Sequence, residues 1–223
     1  VSLLGFSMVP LFAFLGSLGA IILVFSLVRT RHGEFPTGVL LLAGVTANFF
    51  FAAMVMFIHY LADFSQSFRI IRWLMGGLDI TDYKTVLSIS PVVFLGIFIL
   101  MFISRDLNLI STGVHSASSR GVDVARIQKV GFITASLITG TVVATSGPIG
   151  FVGLIVPHIV RLFVGPDLRI LIPTCMLFGA SFLVACDTLA RTLLAPTEIP
   201  VGIITAILGG PFFVWLLKRK RQV

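Results

Sequence analysis

One acid in this sequence, Asp187, falls inside a predicted membrane span, and an acid so placed is a candidate carrier of protons or ions. Arg191 follows four residues later on the same helical face, so a local Asp-Arg pair competes with that reading. His158 is the second candidate carrier. It closes the small-residue run Gly147-Pro148-Ile149-Gly150-Phe151-Val152-Gly153-Leu154-Ile155-Val156-Pro157-His158. Standing three residues before Arg161, it reads better as a structural hydrogen-bond donor. Together Asp187 and His158 would suit a proton-coupled secondary transporter, whose transport would follow a proton gradient and ignore ATP. Cys175 and Cys186 lie 11 residues apart on one predicted helix, about 16 Å along its axis and too far for a disulfide. They read as small apolar core residues. No paired acids, nucleophile-base set or His/Cys cluster is present, so no catalytic, cofactor-binding or metal-binding residue is assigned. None of the four lysines follows a glycine, which excludes the Gly-Lys phosphate loop of ATP-binding chains.

The elements that must position these residues are membrane helices. Of 223 residues, 57% are hydrophobic and 11% charged, and the mean hydropathy is +1.09. Windows 1–28, 35–62, 85–104, 130–160, 170–186 and 199–217 contain no Asp, Glu, Lys or Arg. A bilayer explains such stretches, at about 20 apolar residues per crossing. A disordered chain, a secreted disulfide scaffold and a nucleic-acid binder are excluded. Window 130–160 is too long for one crossing, since its 31 residues would span about 46 Å as helix against an apolar core of about 30 Å. The turn signal Ser146-Gly147-Pro148-Ile149-Gly150 splits it. The expected spans are then 1–28, 36–62, 86–104, 127–146, 149–164, 170–190 and 199–217, an all-α polytopic transmembrane bundle.

The net charge of +7 acquires a meaning from this count. With the split, 12 basic residues (Arg29, Arg31, Arg105, Arg120, Arg126, Lys129, Arg161, Arg169, Lys218, Arg219, Lys220 and Arg221) share one side, and 4 (Arg69, Arg72, Lys84 and Arg191) share the other. Without it the division is 7 against 9. Basic residues concentrate in cytoplasmic loops, so the C-terminus is expected inside and Val1 outside. Val1 is no initiator Met and no signal-peptide pattern precedes the first span, which reads as part of a longer protein.

Two connections stand out. The cytoplasmic segment 105–128 is polar and long enough to be functional. Short helices are expected at Val114 to Ser119 and from Val122 onward, with Gly121 at the joint. They would offer a docking surface, with a solvated linker as the alternative. The external segment 63–85 has an apolar centre from Ile70 to Leu78, with Trp73 and Tyr83 suited to the headgroup region. An interfacial or re-entrant helix is expected there, with Arg69, Arg72 and Asp79 on a solvated surface. The short span after the Gly-Pro turn contains Pro157, and broken helices of this kind require protein or a water-filled cavity around the freed backbone groups. Such segments often border a transport path.

The ordered motifs GPIGFVGLIVPHIVR (147–161), Gly165-Pro166-Asp167 with Arg169, Asp187 with Arg191, Glu198 to Thr205, and Gly209-Gly210-Pro211-Phe212-Phe213 resemble the permease subunit of type II ABC importers. So do Leu40 to Val45 and Trp73 to Gly77. These importers carry iron siderophores, haem and vitamin B12. The resemblance implies ten transmembrane helices, of which the first three would be missing, and a single permease domain over 1–223. It also implies a homodimer of permease copies forming the pore and two ATP-binding subunits beneath, which hold the ATP and Mg. A soluble external or periplasmic binding protein would deliver the chelate, with an iron siderophore expected first and haem or cobalamin otherwise. The setting would be a bacterial inner or archaeal plasma membrane. Coupling to the ATPase is expected at Ser116, Ala117, Ser118, Arg120, Gly121 and Val122, although related sequences tend to have Leu where Arg120 stands. A cytoplasmic gate is expected at Pro36, Thr37 and Gly38. Arg191 is expected to dock the binding protein's glutamates, and Gly147, Pro148, Gly150, Gly153, Pro157 and His158 form the broken-helix motif.

Overall fold

The computed structural model describes residues 2–3, 6–28, 37–79 and 83–220. It is helical apart from a short antiparallel pair, β1 (Ser2–Leu3) with β2 (Phe6–Ser7). The helices are α1 (Met8–Val28), α2 (Thr37–Leu61), α3 (Phe64–Leu74), α4 (Tyr83–Phe102), α5 (Ser104–Ser111), α6 (Val114–Ser119), α7 (Val124–Ser146), α8 (Val152–Val164), α9 (Leu168–Thr192) and α10 (Val201–Lys220). Each expected span therefore has its helix: α1, α2, α4, α7, α8, α9 and α10. Within α2, α4, α7 and α9 the chain is long and apolar enough to cross a bilayer, and α1, α8 and α10 carry shorter apolar stretches. The long apolar window does break, because α7 stops at Ser146 and α8 begins only at Val152. The fold is the expected all-α membrane bundle.

Contacts divide the chain into two units, Val1–Ile70 with Asp82–Thr145, and Ile71–Thr81 with Ser146–Val223. In the first, α1 packs on α2, and α7 meets its neighbours through small residues. A Cβ on Gly96 of α4 would stand 2.5 Å from Ile138 Cγ1 of α7, and one on Gly140 would run into Ser17 of α1. Membrane helices approach each other at such positions because dispersion contact, rather than expulsion of water, holds them together. Helix α5 was not foreseen in the polar connection. It forms because Ile103 and Leu107 reach α7, 3.7 and 4.0 Å from where a Cβ on Gly131 would lie, and Ile103 and Ser104 are buried.

In the second unit α8 and α9 form a hairpin, with α10 against both. Its turn follows from three residues. Gly165, at φ +80°, ends α8 and donates its N–H to the Arg161 carbonyl at 3.0 Å. Pro166 cannot continue that helix, and Asp167 caps α9, its side chain accepting from the Arg169 N–H at 3.0 Å. Val156 and Val160 of α8 pack with Leu171, Cys175 and Phe182 of α9. Cys186, Ala190, Val201 and Ile204 form a second cluster, so Cys186 is a core residue while half-buried Cys175 packs against the first cluster. The outward faces are apolar: Leu162 is 75% exposed, Phe163 82% and Leu177 74%. Hydrating such side chains forfeits about 1.5–3 kcal/mol each, which makes lipid or protein their natural surrounding.

The tightest feature of this unit is a backbone junction. The Gly77 N–H donates to the Ser146 carbonyl at 2.8 Å, and the Gly202 N–H donates to the Gly76 carbonyl at 3.3 Å. A Cβ on Gly76 would collide with the Pro148 carbonyl, one on Gly147 with that of Trp73, and one on Gly202 with that of Met75. Gly76 and Gly147 also have φ of +69° and +67°, a region that side chains disfavour. Close by, a Cβ on Gly209 of α10 would enter the Phe151 ring. By contrast, nothing lies within 4 Å of a Cβ on Gly153. Gly147→Ala and Gly202→Ala should therefore each cost about 1–3 kcal/mol through overpacking. Gly153→Ala, inside a helix, should be neutral or gain up to about 1 kcal/mol. Thermal unfolding of the purified chain in detergent checks this, and equal losses at all three positions would refute it.

Candidate functional site

The charged groups of the second unit converge beside that junction. Arg191, in the last turn of α9, donates from Nε to Asp187 Oδ2 at 2.8 Å. Its other nitrogens face two further carboxylates, Nη2 at 3.5 Å from Asp79 Oδ1 and Nη1 at 3.7 Å from Glu198 Oε1. Arg72 of α3 stands 3.8 Å from Asp79 Oδ2. Two arginines thus face three carboxylates, and the cluster retains one negative charge. The local Asp187-Arg191 pair is present, and Arg72 and Asp79, expected on a plain solvated surface, belong to the same network.

Backbone bonds set these positions. Ile199 donates its N–H to the Ala190 carbonyl at 3.2 Å, which holds the neighbouring Glu198 near Arg191. Asp79 comes two residues after Gly77, itself fixed on Ser146. The cavity within the cluster is about 40 Å³, room for about one water and none for a chelate. A larger space, an open apolar groove of about 450 Å³, is lined by Leu74, Met75, Pro148, Ile203, Ala206 and Ile207.

The broken-helix motif is brought together with the C-terminal Gly-Gly-Pro-Phe-Phe motif. Phe151 caps α8 at φ +66°, its carbonyl accepting from the Ile155 N–H at 2.8 Å. Its ring occupies the space that Gly209 leaves open and lies 6.3 Å from the Phe213 ring. Pro157 sits inside α8 and lacks an amide hydrogen. Next to it, His158 Nδ1 lies 2.8 Å from the Leu154 carbonyl as its donor, with the ring edge-on to Phe213 at 5.8 Å. His158 therefore has the structural surroundings that its sequence position suggested. Gly147 belongs to the junction, while Gly150 and Gly153 have open space around them. Asp187 and His158 have separate partners, the Arg191 guanidinium and the Leu154 carbonyl.

In the other unit, α6 spans Val114–Ser119 as expected. Gly121, at φ +83°, donates to the Ser118 carbonyl at 3.0 Å, and Val122 donates to that of Ala117 at 3.1 Å. These two bonds form a Schellman closure, which needs a left-handed residue at its bend. Asp123 then caps α7, Oδ1 accepting from the Arg126 N–H at 3.1 Å. That places the helix start at Val124, two residues later than expected. Ser116, Ser118, Arg120 and Gly121 are exposed, Val122 is half-buried and Ala117 is fully buried. Ala117 is thus an anchor of the helix, and the exposed residues form its free face. Of the expected gate, Pro36 lies outside the described residues, Thr37 opens α2, and Gly38 has nothing within 4 Å of a Cβ.

Sequence reasoning missed Asp79 and Glu198 as partners of Arg191 and Phe151 as the partner of Gly209. Glu198, Phe151 and Gly209 lie inside the quoted motifs, whereas Asp79 lies outside them and carried no such signal.

The FecCD transport family model matches residues 1–219. Among curated relatives, the hemin transport system permease protein HmuU of Yersinia pestis is 40% identical over 210 residues, covering 94% of this chain and 62% of its own. The cobalamin import system permease protein BtuC of Halobacterium salinarum is 43% identical over 212 residues, covering 95% and 56%. The chain thus spans about three fifths of the length of these relatives. A solved structure described as a metal-chelate type ABC transporter in an inward-facing conformation superposes with a TM-score of 0.86 at 32% identity, over 96% of this chain and 69% of that one. The match reaches from α1 into α10 and takes in the glycine junction, the α8–α9 turn and the closed α6 alike: the chain belongs to the FecCD transport family.

Proposed function

We propose that this chain is the transmembrane permease part of an ATP-binding cassette importer for a metal chelate. The observation that carries the reading is the match over residues 1–219 to a transport family. Relatives named for hemin, cobalamin and ferric citrate share one chemical class, a metal ion wrapped in an organic ligand. Two copies pair around the pathway, two ATPase subunits hold ATP and Mg beneath them, and an external binding protein delivers the chelate. The chain performs no covalent step. A substrate-stimulated ATPase assay on the reconstituted complex, over ferric siderophores, haem, cobalamin and oxyanions, tests the reading. Stimulation by an oxyanion alone, or uptake that follows a proton gradient without ATP, would overturn it.

The side assignments follow from the uneven basic residues. The C-terminus and segment 105–128 face the cytoplasm, whereas segment 63–85 and the α9–α10 connection face outward. The exposed face of α6, with Ser116, Ser118 and Arg120, receives the ATPase. The segment at Pro36, Thr37 and Gly38 closes the pathway on that side. Arg191 meets a carboxylate of the binding protein, since a planar guanidinium can hold a carboxylate through two parallel hydrogen bonds.

Two outcomes are expected. Cysteines placed at Ser118 and Arg221 should label only from the cytoplasm and one at Thr197 only from outside. Labelling of Ser118 and Thr197 from one side would invalidate the topology. Gly121→Val places a β-branched residue at φ +83°, which should open the Schellman closure and cost about 1–2 kcal/mol locally. Membrane insertion should persist while ATP hydrolysis no longer drives uptake, and normal uptake by this variant would remove the coupling role of α6.

A further inference from the structure

We propose that Asp187 is a positioning residue that presents Arg191 to an incoming carboxylate, and that Asp79 and Glu198 are the seats this carboxylate displaces. The inference rests on the reading of Arg191 as a docking residue. Its support is the unequal geometry around one guanidinium. Asp187 lies one helical turn before Arg191, is the least exposed acid of the cluster at 24%, and holds Nε at 2.8 Å. That distance is a charge-assisted hydrogen bond. Asp79 and Glu198 are each 55% exposed and lie at 3.5 and 3.7 Å, close enough to attract and too far for such a bond.

A guanidinium is a planar fork. With Nε held by Asp187, the edge left for a second carboxylate is the one formed by Nη1 and Nη2. Those are the two nitrogens facing the loosely held acids. An incoming carboxylate that takes this edge makes two short bonds, each replacing a longer contact, and exposed pairs of the replaced kind are weak. Asp79 and Glu198 then serve as interim partners: they keep Arg191 oriented across the cluster and yield to a better-placed carboxylate.

The test measures association of the co-purified binding protein with the full transporter, assembled with its ATPase subunits in nanodiscs. Asp187→Ala should weaken association about tenfold, while Asp187→Asn, which still accepts from Nε, should stay within about twofold of the parent. Rescue by Asn separates positioning from a general loss of charge, and the thermal midpoint of each complex reports any folding defect. Asp79→Asn and Glu198→Gln change exposed side chains only. Each should strengthen association about threefold at low salt, with the gain fading as ionic strength rises. Weakening by either of these two, or unchanged or stronger association with Asp187→Ala, overturns the inference. Arg191→Ala separates the levels: no effect of that variant sinks the docking reading itself, whereas a loss with Arg191→Ala and none with Asp187→Ala sinks only the positioning role.

Discussion

Backbone polar groups in an apolar medium must find partners within the protein, and the break between α7 and α8 shows how this chain meets that constraint. Five residues, 147–151, leave the helical ladder where the run is otherwise apolar. The Ser146 carbonyl is taken by the Gly77 N–H, and the Gly76 carbonyl by Gly202. Glycine is required because the partners are themselves main chain: a methyl group on residue 76, 147 or 202 would enter a carbonyl oxygen. Three motifs far apart in sequence are therefore one physical object, a contact of bare backbone that anchors the end of α3, the start of the broken segment and the first turn of α10.

What stands around the junction depends on it. Phe151 adopts a left-handed backbone to begin α8, and its ring needs the gap at Gly209, so α10 must present a glycine at that height. Phe213, one turn further along, touches both the Phe151 and His158 rings. Because His158 gives its Nδ1 proton to the Leu154 carbonyl, the polar ring reinforces α8 beside Pro157, where an amide hydrogen is missing. A histidine in a membrane-type helix invites a functional reading, but here Nδ1 is bonded within α8 and the ring stands edge-on to Phe213.

Charge is handled by the same economy of placement. Arg191 is drawn in three directions by acids on the preceding turn, on the segment after Gly77 and on the connection into α10. The cavity inside the cluster is about 40 Å³, room for about one water. At α6 the chemistry is purely conformational. A Schellman closure at Gly121 and a cap at Asp123 turn the chain sharply between two helices, leaving Ser116, Ser118 and Arg120 exposed above buried Ala117.

Class, span number and break were legible in the sequence because apolar length and Gly-Pro punctuation act locally. Window 130–160 had to split since its helix would overrun a bilayer, and Val114 to Ser119 had to end near Gly121 since little else tolerates that bend. The Asp187-Arg191 pair was legible for the same reason, four residues being one helical turn. Helix α5 was not, because Leu107 and Ile103, the residue just before the helix, pack against Gly131 of another helix. Nor were the partners that Arg191 finds in Asp79 and Glu198, or the ring that Gly209 admits. Asp79 and Phe151 lie more than 50 positions from their partners, whereas Glu198, seven residues after Arg191, is brought back to it by the turn in which Ile199 bonds Ala190; sequence spacing alone gives neither meeting. Local periodicity decides what each segment becomes, whereas backbone meeting backbone at Gly76, Gly147 and Gly202 decides which side chains become neighbours.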